Sequence, residues 1–241
     1  MRPAVSTLKR LRDEQRGVTM IEVLITMIIL GIVSTMIVGI WISLQHSFYF
    51  TQSDNTAATT ARTAIDRMTS ELRDAQAPNT STTSPFCLTL SSPYVCDSND
   101  ITFYSPYNNP AAAGNTNNNT TGIGAAVLQS IYLDTSGTSP EKKLYWVRDT
   151  NGNGVIDSGD TTVLLASNVV NTSSTINKPV FQYILHASPN ASFVSATSLS
   201  STNVSQVVAV NIELVVDAQI HKTPTYMDLV YTVRPRNVAS N

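Results

Sequence analysis

The feature that most constrains this chain is an uninterrupted apolar run near its N-terminus. The run from Val23 to Leu44 contains 22 residues and no charged side chain. As an α-helix it would be ~33 Å long, enough to cross the ~30 Å hydrocarbon layer of a bilayer. A secretory signal peptide has a shorter apolar stretch followed by a small-residue cleavage site, and this run has neither feature. The sequence therefore predicts a transmembrane helix.

Charge is distributed unevenly on the two sides of this run. Residues 1–17 carry five basic and two acidic side chains, whereas the remaining 224 residues carry ten basic and fifteen acidic ones. A positive segment before an apolar helix keeps the N-terminus in the cytoplasm. With a formal net charge of −2 and 13% charged residues, the chain has no basic excess for phosphate contacts. Direct binding of nucleic acid is therefore not expected.

One acidic residue, Glu22, stands at the entrance to the apolar run. An ionised carboxylate inside a membrane segment costs about 2.5–3.5 kcal/mol on insertion scales, so such a residue usually has a partner and a role. The alternative is that Glu22 lies at the membrane interface and stays hydrated. Its position alone leaves both interpretations open.

The sequence around Glu22 resembles a known signal. The run RGVTMIE at positions 16–22, followed at once by a long apolar helix, is similar to the class III signal of type IV prepilins and pseudopilins. In that family a membrane peptidase cuts after the glycine and methylates the new N-terminus. The resemblance implies that residues 1–17 are a leader ending at Gly17, that Val18 is the methylated first mature residue, and that Glu22 is the fifth-position glutamate.

The resemblance also implies how such a subunit assembles. The amine of Val18 in one subunit can neutralise Glu22 of the next, which removes the cost of carrying either charge in an apolar bundle. The implied partners are other pilins or pseudopilins, the prepilin peptidase, and a membrane assembly platform with its motor ATPase. The implied location is the bacterial cytoplasmic membrane, crossed once, with an extracytoplasmic globular domain and a pilus or pseudopilus at the cell surface.

A helical pattern continues beyond the membrane segment. Apolar residues recur at spacings of 4, 3, 4 and 3, and charged residues fill the other faces. We therefore divide the helix into a transmembrane and assembly part, residues 18–45, and an amphipathic stalk, residues 46–78, which Pro78 ends. The apolar stripe consists of Ala61, Ile65, Met68, Leu72 and Ala75.

The remainder of the chain, residues 79–241, has the pattern of short strands separated by Pro, Asn, Gly and Ser. Several of these segments resemble the globular domains of minor pilins and pseudopilins of the PilW or J type. The fold class implied is α+β and pilin-like, with a long N-terminal helix packed on a C-terminal antiparallel sheet. The predicted strands are Ile101–Tyr104, Ala126–Leu133, Lys143–Val147, Thr162–Ala166, Val180–Leu185, Val207–Val216 and Leu229–Arg234.

The two cysteines, Cys87 and Cys96, enclose eight residues. In an oxidising compartment they can form one disulfide, which would stabilise the fold by about 2–3 kcal/mol. Two reduced core thiols are the alternative in a reducing compartment. Their spacing differs from C-x-x-C, which disfavours a redox-active pair.

The sharpest chemical motif is a twelve-residue loop, residues 149–160, with the sequence DTNGNGVIDSGD. It matches the calcium loop D-x-[DN]-x-[DN]-G, with a glycine at position 6 for the sharp bend. The predicted oxygen donors for a structural calcium ion are Asp149, Asn151, Asn153, the Val155 carbonyl, Asp157 and Asp160.

Two departures from the EF-hand pattern define what kind of loop this would be. Position 12 is Asp160 rather than a longer glutamate, and the flanking segments have the pattern of strands rather than helices. We therefore expect a weak extracellular calcium loop in a β-hairpin, with a Kd of about 10⁻⁴–10⁻³ M. The alternative is an Asn- and Gly-rich turn that holds no ion.

No enzyme is indicated. The three histidines are scattered, and no nucleophile elbow or phosphate-binding loop is present. The function that we favour is a minor pilin or pseudopilin. A second hypothesis is a membrane-anchored, calcium-stabilised adhesion or binding domain that does not polymerise. A third is a secreted or anchored hydrolase with an unrecognised site. The third requires a polar catalytic cluster that the sequence does not contain.

Overall fold

The computed structural model describes residues 18–77, 84–86, 95–106, 126–188, 191–219 and 226–236. The chain divides into two compact units, Met1–Thr51 and Gln52–Asn241. One helix, α1, runs from Met20 to Arg73 and contributes to both units. The β-strands all belong to the second unit.

In the first unit, α1 is exposed along its whole apolar length in the isolated chain. Within the described residues it is the one helix long and apolar enough to cross a membrane. Two threonine hydroxyls in this segment are satisfied inside the helix: Thr26 and Thr35 each donate to the backbone carbonyl three residues earlier, at 2.8 Å. Such local bonds allow a hydroxyl to face lipid without an unpaired donor.

The described residues of the second unit form an eight-stranded antiparallel sheet. Its strand order is β1-β2-β3-β4-β7-β5-β6, and β8 pairs with the other edge of β7. A single turn of 3₁₀-helix, Val204–Gln206, precedes β7. The strands are β1 Asp100–Ser105, β2 Val127–Asp134, β3 Lys142–Arg148, β4 Thr161–Val169, β5 Phe181–Leu185, β6 Val194–Ala196, β7 Val207–Asp217 and β8 Tyr226–Val233.

The core lies between the stalk part of α1 and one face of the sheet. All five members of the predicted apolar stripe are buried, so this prediction is confirmed. They pack in one cluster with alternate residues of the strands, as the two-residue period of a strand requires. The sheet side of the cluster includes Ile101, Phe103, Ile131, Trp146, Tyr183, Ile212 and Leu214.

The helix ends at Arg73, five residues before the predicted end of the stalk at residue 78. The backbone partners beyond Arg73 explain the difference. Gln76 N–H donates to Tyr104 O of β1 at 2.9 Å, and Arg236 N–H donates to Arg73 O at 2.9 Å. Pairing with the sheet domain therefore replaces the next helical turn.

The seven predicted strands are confirmed, with ends that differ by a few residues. The sequence pattern missed β6, which has only three residues and pairs with β5 through Tyr183 and Ala196. Strand patterns become recognisable over four or more residues, so a strand this short leaves no clear period.

Candidate functional site

The first candidate site is the N-terminal turn of α1. The helix begins at Met20, and the N–H groups of Glu22 and Val23 both donate to Thr19 O, at 3.0 and 3.3 Å. Glu22 thus lies in the first turn, where the helix dipole favours a negative charge. Val18, which precedes the helix, is 69% exposed. Gly17 and the remainder of the leader lie outside the described residues.

The second candidate site is the hairpin loop between β3 and β4, where the predicted calcium loop lies. Asp149 is buried, and its two carboxylate oxygens accept hydrogen bonds from Gly152 N–H at 2.7 Å and Gly154 N–H at 2.8 Å. Both glycines have positive φ, 73° and 78°, which residues with a side chain rarely adopt. The first half of the loop is therefore folded around Asp149.

The second half of the loop is organised by two further carboxylates. Asp157 accepts from Gly159 N–H at 2.8 Å and from Asn153 Nδ2 at 2.8 Å, and these bonds lower the pKa of Asp157 below its ordinary value. Asp160 accepts from Thr150 N–H at 2.9 Å and from Asp157 N–H at 2.8 Å. Asp160 thus joins the two ends of the loop.

The loop is attached to the sheet by one apolar side chain. Ile156 is only 7% exposed and packs with Leu128 of β2 and Val147 of β3 on the face of the sheet opposite α1. Val155, its neighbour, is 48% exposed. The loop therefore presents polar atoms to solvent and inserts a single anchor beneath them.

A metal site requires several ligand side chains that lie close together. Among the described residues, no three His, Cys, Asp or Glu side chains form a group that could hold a metal ion. The donor set itself consists of oxygen atoms, which suit calcium. An ionised carboxylate oxygen that accepts one N–H keeps further acceptor capacity. The donor chemistry fits calcium, but the three loop carboxylates do not form a metal-binding group, and calcium stays a prediction.

Of the two cysteines in the predicted disulfide, Cys96 lies within the described residues. Cys96 is buried, and its Sγ lies 3.2 Å from Thr102 O. Cys87 lies outside the described residues, so the bridge between them also stays a prediction.

A cluster of charged side chains between the stalk and the sheet, centred on the buried Glu71, was not predicted from the sequence. The carboxylate of Glu71 has no exposed side-chain surface and lies 3.0 Å from Arg67 Nη2, one helical turn away. The guanidinium carbon atoms of Arg67 and Arg148 lie 4.6 and 5.6 Å from the ring centroid of Trp146. Burial raises the pKa of Glu71, while Arg67 opposes that shift. The only sequence signal was the spacing of four between Arg67 and Glu71.

A comparison with protein-family models gives one match. Residues 12–38 match the prokaryotic N-terminal methylation motif, the signal of type IV pilins and pseudopilins. The match covers the end of the basic segment, Glu22 and the first part of the exposed apolar helix. No curated protein and no solved structure matches the chain.

Proposed function

We propose that this chain, which carries the N-terminal methylation motif of type IV pilins and pseudopilins, is the precursor of a minor filament subunit. Prepilin peptidase cleaves it after Gly17 and methylates the amine of Val18. The mature subunit then joins, or primes, a type IV pilus or a type II secretion pseudopilus. Its role is structural rather than catalytic. The observation that carries this proposal is that the matched residues 12–38 include an exposed apolar helix with Glu22 in its first turn.

The proposed mechanism of assembly depends on compensation of charge. An ionised Glu22 beside apolar neighbours would cost about 2.5–3.5 kcal/mol if it had no partner. The amine that cleavage creates at Val18 is a cation, and it can pair with Glu22 of an adjacent subunit. Because only the correct stagger between helices brings these groups together, the pair selects the register of assembly.

The proposed location follows from the direction of the chain. The basic segment stays in the cytoplasm, and α1 crosses the cytoplasmic membrane once. The sheet domain is then extracytoplasmic, and after assembly it forms part of a pilus or pseudopilus at the cell surface. The proposed partners are other pilins or pseudopilins, prepilin peptidase, and an assembly platform driven by a motor ATPase.

A minor rather than a major subunit is favoured by the globular part. The described residues of this part form an eight-stranded sheet. The pairing of β3 with β4 and that of β5 with β7 both contain register shifts. Major subunits repeat many times in a filament, which favours a small and regular domain. A large, irregular domain is better suited to a subunit present in few copies.

The first test is the intact mass and the N-terminal peptide of the protein isolated from its native membrane. We expect a chain that begins at Val18 and carries one additional methyl group on its amine. A chain that still begins at Met1, or one cut after Leu44, would contradict the filament proposal and favour an anchored or secreted domain.

The second test separates processing from assembly. Glu22→Gln removes the charge but keeps the shape of the side chain, so cleavage after Gly17 should persist while incorporation into filaments is lost. Asp66→Asn is the matched control, because Asp66 is an exposed carboxylate of the same helix outside the apolar segment. Filament incorporation of Glu22→Gln at the wild-type level would exclude the proposed charge pair.

The second candidate function is a membrane-anchored, calcium-stabilised adhesion or binding domain that does not polymerise. Its support is the loop at residues 149–160, in which Asp149 accepts two N–H groups around glycines of positive φ. Processing at Gly17 combined with loss of filaments in Glu22→Gln would distinguish the filament subunit from this alternative.

Calcium in this loop is compatible with either function, and its proposed role is to stabilise the hairpin. We expect millimolar calcium to raise the melting temperature of the full-length chain in detergent, and Asp149→Ala to abolish that increase. Asp134→Ala is the matched control, since Asp134, the last residue of β2, is also a carboxylate that accepts a backbone N–H, from Ser136 at 2.9 Å. An equal increase in Asp149→Ala, or none in the wild type, would refute calcium binding at this loop.

A further inference from the structure

The sheet ends in three strands, and two of them are protected from pairing with another chain. Phe86 forms a bridge with Phe103 of β1, and Tyr104 N–H of the same strand donates to Pro85 O at 2.9 Å. Strand β6 has only three residues. Covering an edge and shortening it are two ways in which natural sheets prevent edge-to-edge association.

In the described part of the chain, the third end strand, β8, has neither protection. All eight of its residues pair with β7, from Tyr226 opposite Asp217 to Val233 opposite Val210, without a register shift. In the part of the chain that the structure describes, β7 is its only partner strand. A long, regular strand with one unpaired edge is a template for a further strand.

The direction of the backbone groups of β8 follows from those of β7. Glu213 N–H donates to Val180 O, and Val215 N–H donates to Asn171 Oδ1, so both point away from β8. The backbone N–H and C=O groups of successive residues in a strand point to alternate edges. The even-numbered residues of β7 therefore form the hydrogen bonds with β8. Their partners in β8 are the odd-numbered ones. The groups at the free edge therefore belong to Tyr226, Asp228, Val230 and Thr232.

Strand β8 carries exposed apolar side chains on both of its faces. Val230 is 59% exposed, Tyr231 43% and Tyr226 42%, although they point to different faces of the sheet. The strand contains no Lys and no Pro, the residues that usually discourage edge pairing. Its one charge, Asp228, is paired with Lys178 Nζ at 2.6 Å. A strand that adds here meets exposed apolar side chains on both faces of the sheet, and β8 itself supplies such side chains on both faces.

We infer that β8 is a self-association surface, on which the β8 strand of a second copy of this chain pairs in the antiparallel direction. A two-fold axis normal to the sheet brings like faces together and can pass through Leu229 or Val230. When the axis passes between the two copies of Leu229, four pairs form between residues whose backbone groups face the free edge. When it passes between the two copies of Val230, only three such pairs form. The Leu229 register is therefore preferred. It places Asp228 opposite Val230 of the second copy, so no two carboxylates oppose each other.

This pairing is small compared with a stable interface. Pairing of one strand from each copy buries less accessible surface than about 1,200 Å², the lower limit for a standard protein interface. Confinement in one membrane raises the effective concentration of two anchored copies, which compensates for a weak contact. The inference is independent of the proposed function, because it needs an anchored chain but no filament machinery.

Disulfide trapping tests the register in the full-length chain, expressed in membranes of a cell that lacks filament machinery. In the Leu229 register, Leu229→Cys places two thiols directly across the axis, where Cα atoms lie about 4.5 Å apart. Thr232→Cys is the matched control in the same strand, because its two copies would be about 20 Å apart along the strands. We expect an oxidised product of twice the chain mass in Leu229→Cys, several-fold above Thr232→Cys and wild type.

A charge variant tests the association without added cysteines. Val230→Glu places a carboxylate opposite Asp228 of the second copy, so co-isolation of two differently tagged copies should fall several-fold. Val194→Glu is the control, since Val194 is also 59% exposed on an end strand. The inference is overturned if Leu229→Cys gives no dimer, if Thr232→Cys gives an equal amount, or if the trapped product contains a different protein. Equal co-isolation of the Val230→Glu chain would overturn it as well.

Discussion

Burial sets the protonation of Asp100, the first residue of β1. The residue is 5% exposed, and one of its carboxyl oxygens makes no hydrogen bond. Burial first, and then the nearby charge of Asp97, raise the pKa of Asp100 from 3.8 to about 7. The folded protein therefore holds a proton that the unfolded chain releases. This contribution to stability is complete below the unfolded pKa and is lost as the pH rises through about 7.

We predict that Asp100→Asn stabilises the fold at pH 8, because an amide carries no charge to desolvate. The free energy of unfolding should rise by about 1–4 kcal/mol at that pH, and the gain should shrink towards pH 4. Denaturant unfolding of the wild type and of Asp100→Asn between pH 4 and pH 8 measures this difference. Asp134→Asn is the control, since hydrogen bonding to Ser136 lowers the pKa of Asp134 and should give no gain at pH 8. A pH-independent wild-type stability between pH 5 and 8 would refute the assignment.

The buried carboxylate of Glu71 also affects the stability of the fold. It lies between Arg67 on its own helix and the sheet that carries Arg148. We predict that Glu71→Ala lowers the free energy of unfolding by about 2–3 kcal/mol, because Arg148 loses the negative charge of Glu71, which counteracts the effect of burial on the pKa of Arg148. The partial exposure of Arg67 moderates the cost. Asp66→Ala, on the exposed face of the helix, should change stability by less than about 0.5 kcal/mol. Equal effects of the two variants in urea unfolding would rule out a special role for Glu71.

At the scale of elements, the β3–β4 hairpin shows how a polar loop is held on a sheet. Hydrogen bonds to Asp149, Asp157 and Asp160 define its internal shape, but Ile156 is its buried apolar contact with Leu128 and Val147. The loop motif and its donors were visible in the sequence, because they follow local spacing. The anchor could be recognised only once β2 and β3 were placed side by side.

We predict that Ile156→Ala destabilises the fold by about 2–3 kcal/mol, since it leaves a cavity beneath the loop. The amide protons of Gly152 and Gly154 should also exchange faster, because the loop that orients Asp149 is loosened. Hydrogen exchange and denaturant unfolding measure these two effects. Val155→Ala removes a neighbouring apolar side chain that is 48% exposed, and it should alter neither quantity appreciably. Similar losses in the two variants would show that Ile156 is not the anchor.

At the scale of the whole molecule, local patterns predicted the elements but not their arrangement. The helix stripe from Ala61 to Ala75 and seven strands follow from periods of 3.6 and 2, which are properties of neighbouring residues. The central place of β7, between β5 and β8, depends on pairings across long stretches of chain. For the same reason the burial of Asp100 and Glu71 could not be predicted, since each is enclosed by residues distant in the sequence.

The arrangement of the core leads to a prediction about the folding unit. The helical residues that pack in the sheet core begin at Ala57, inside the unit Gln52–Asn241. A chain shortened to residues 52–241 should therefore unfold cooperatively in aqueous buffer, with a melting temperature within about 5 °C of the full-length chain in detergent. Further shortening to residues 78–241 removes Met68 and Leu72, whose side chains are fully buried, and should abolish the cooperative transition. Circular dichroism and calorimetry distinguish these outcomes. If residues 52–241 fail to unfold cooperatively, the sheet core depends on the segment before residue 52, and if residues 78–241 still do so, the stalk is dispensable for the core.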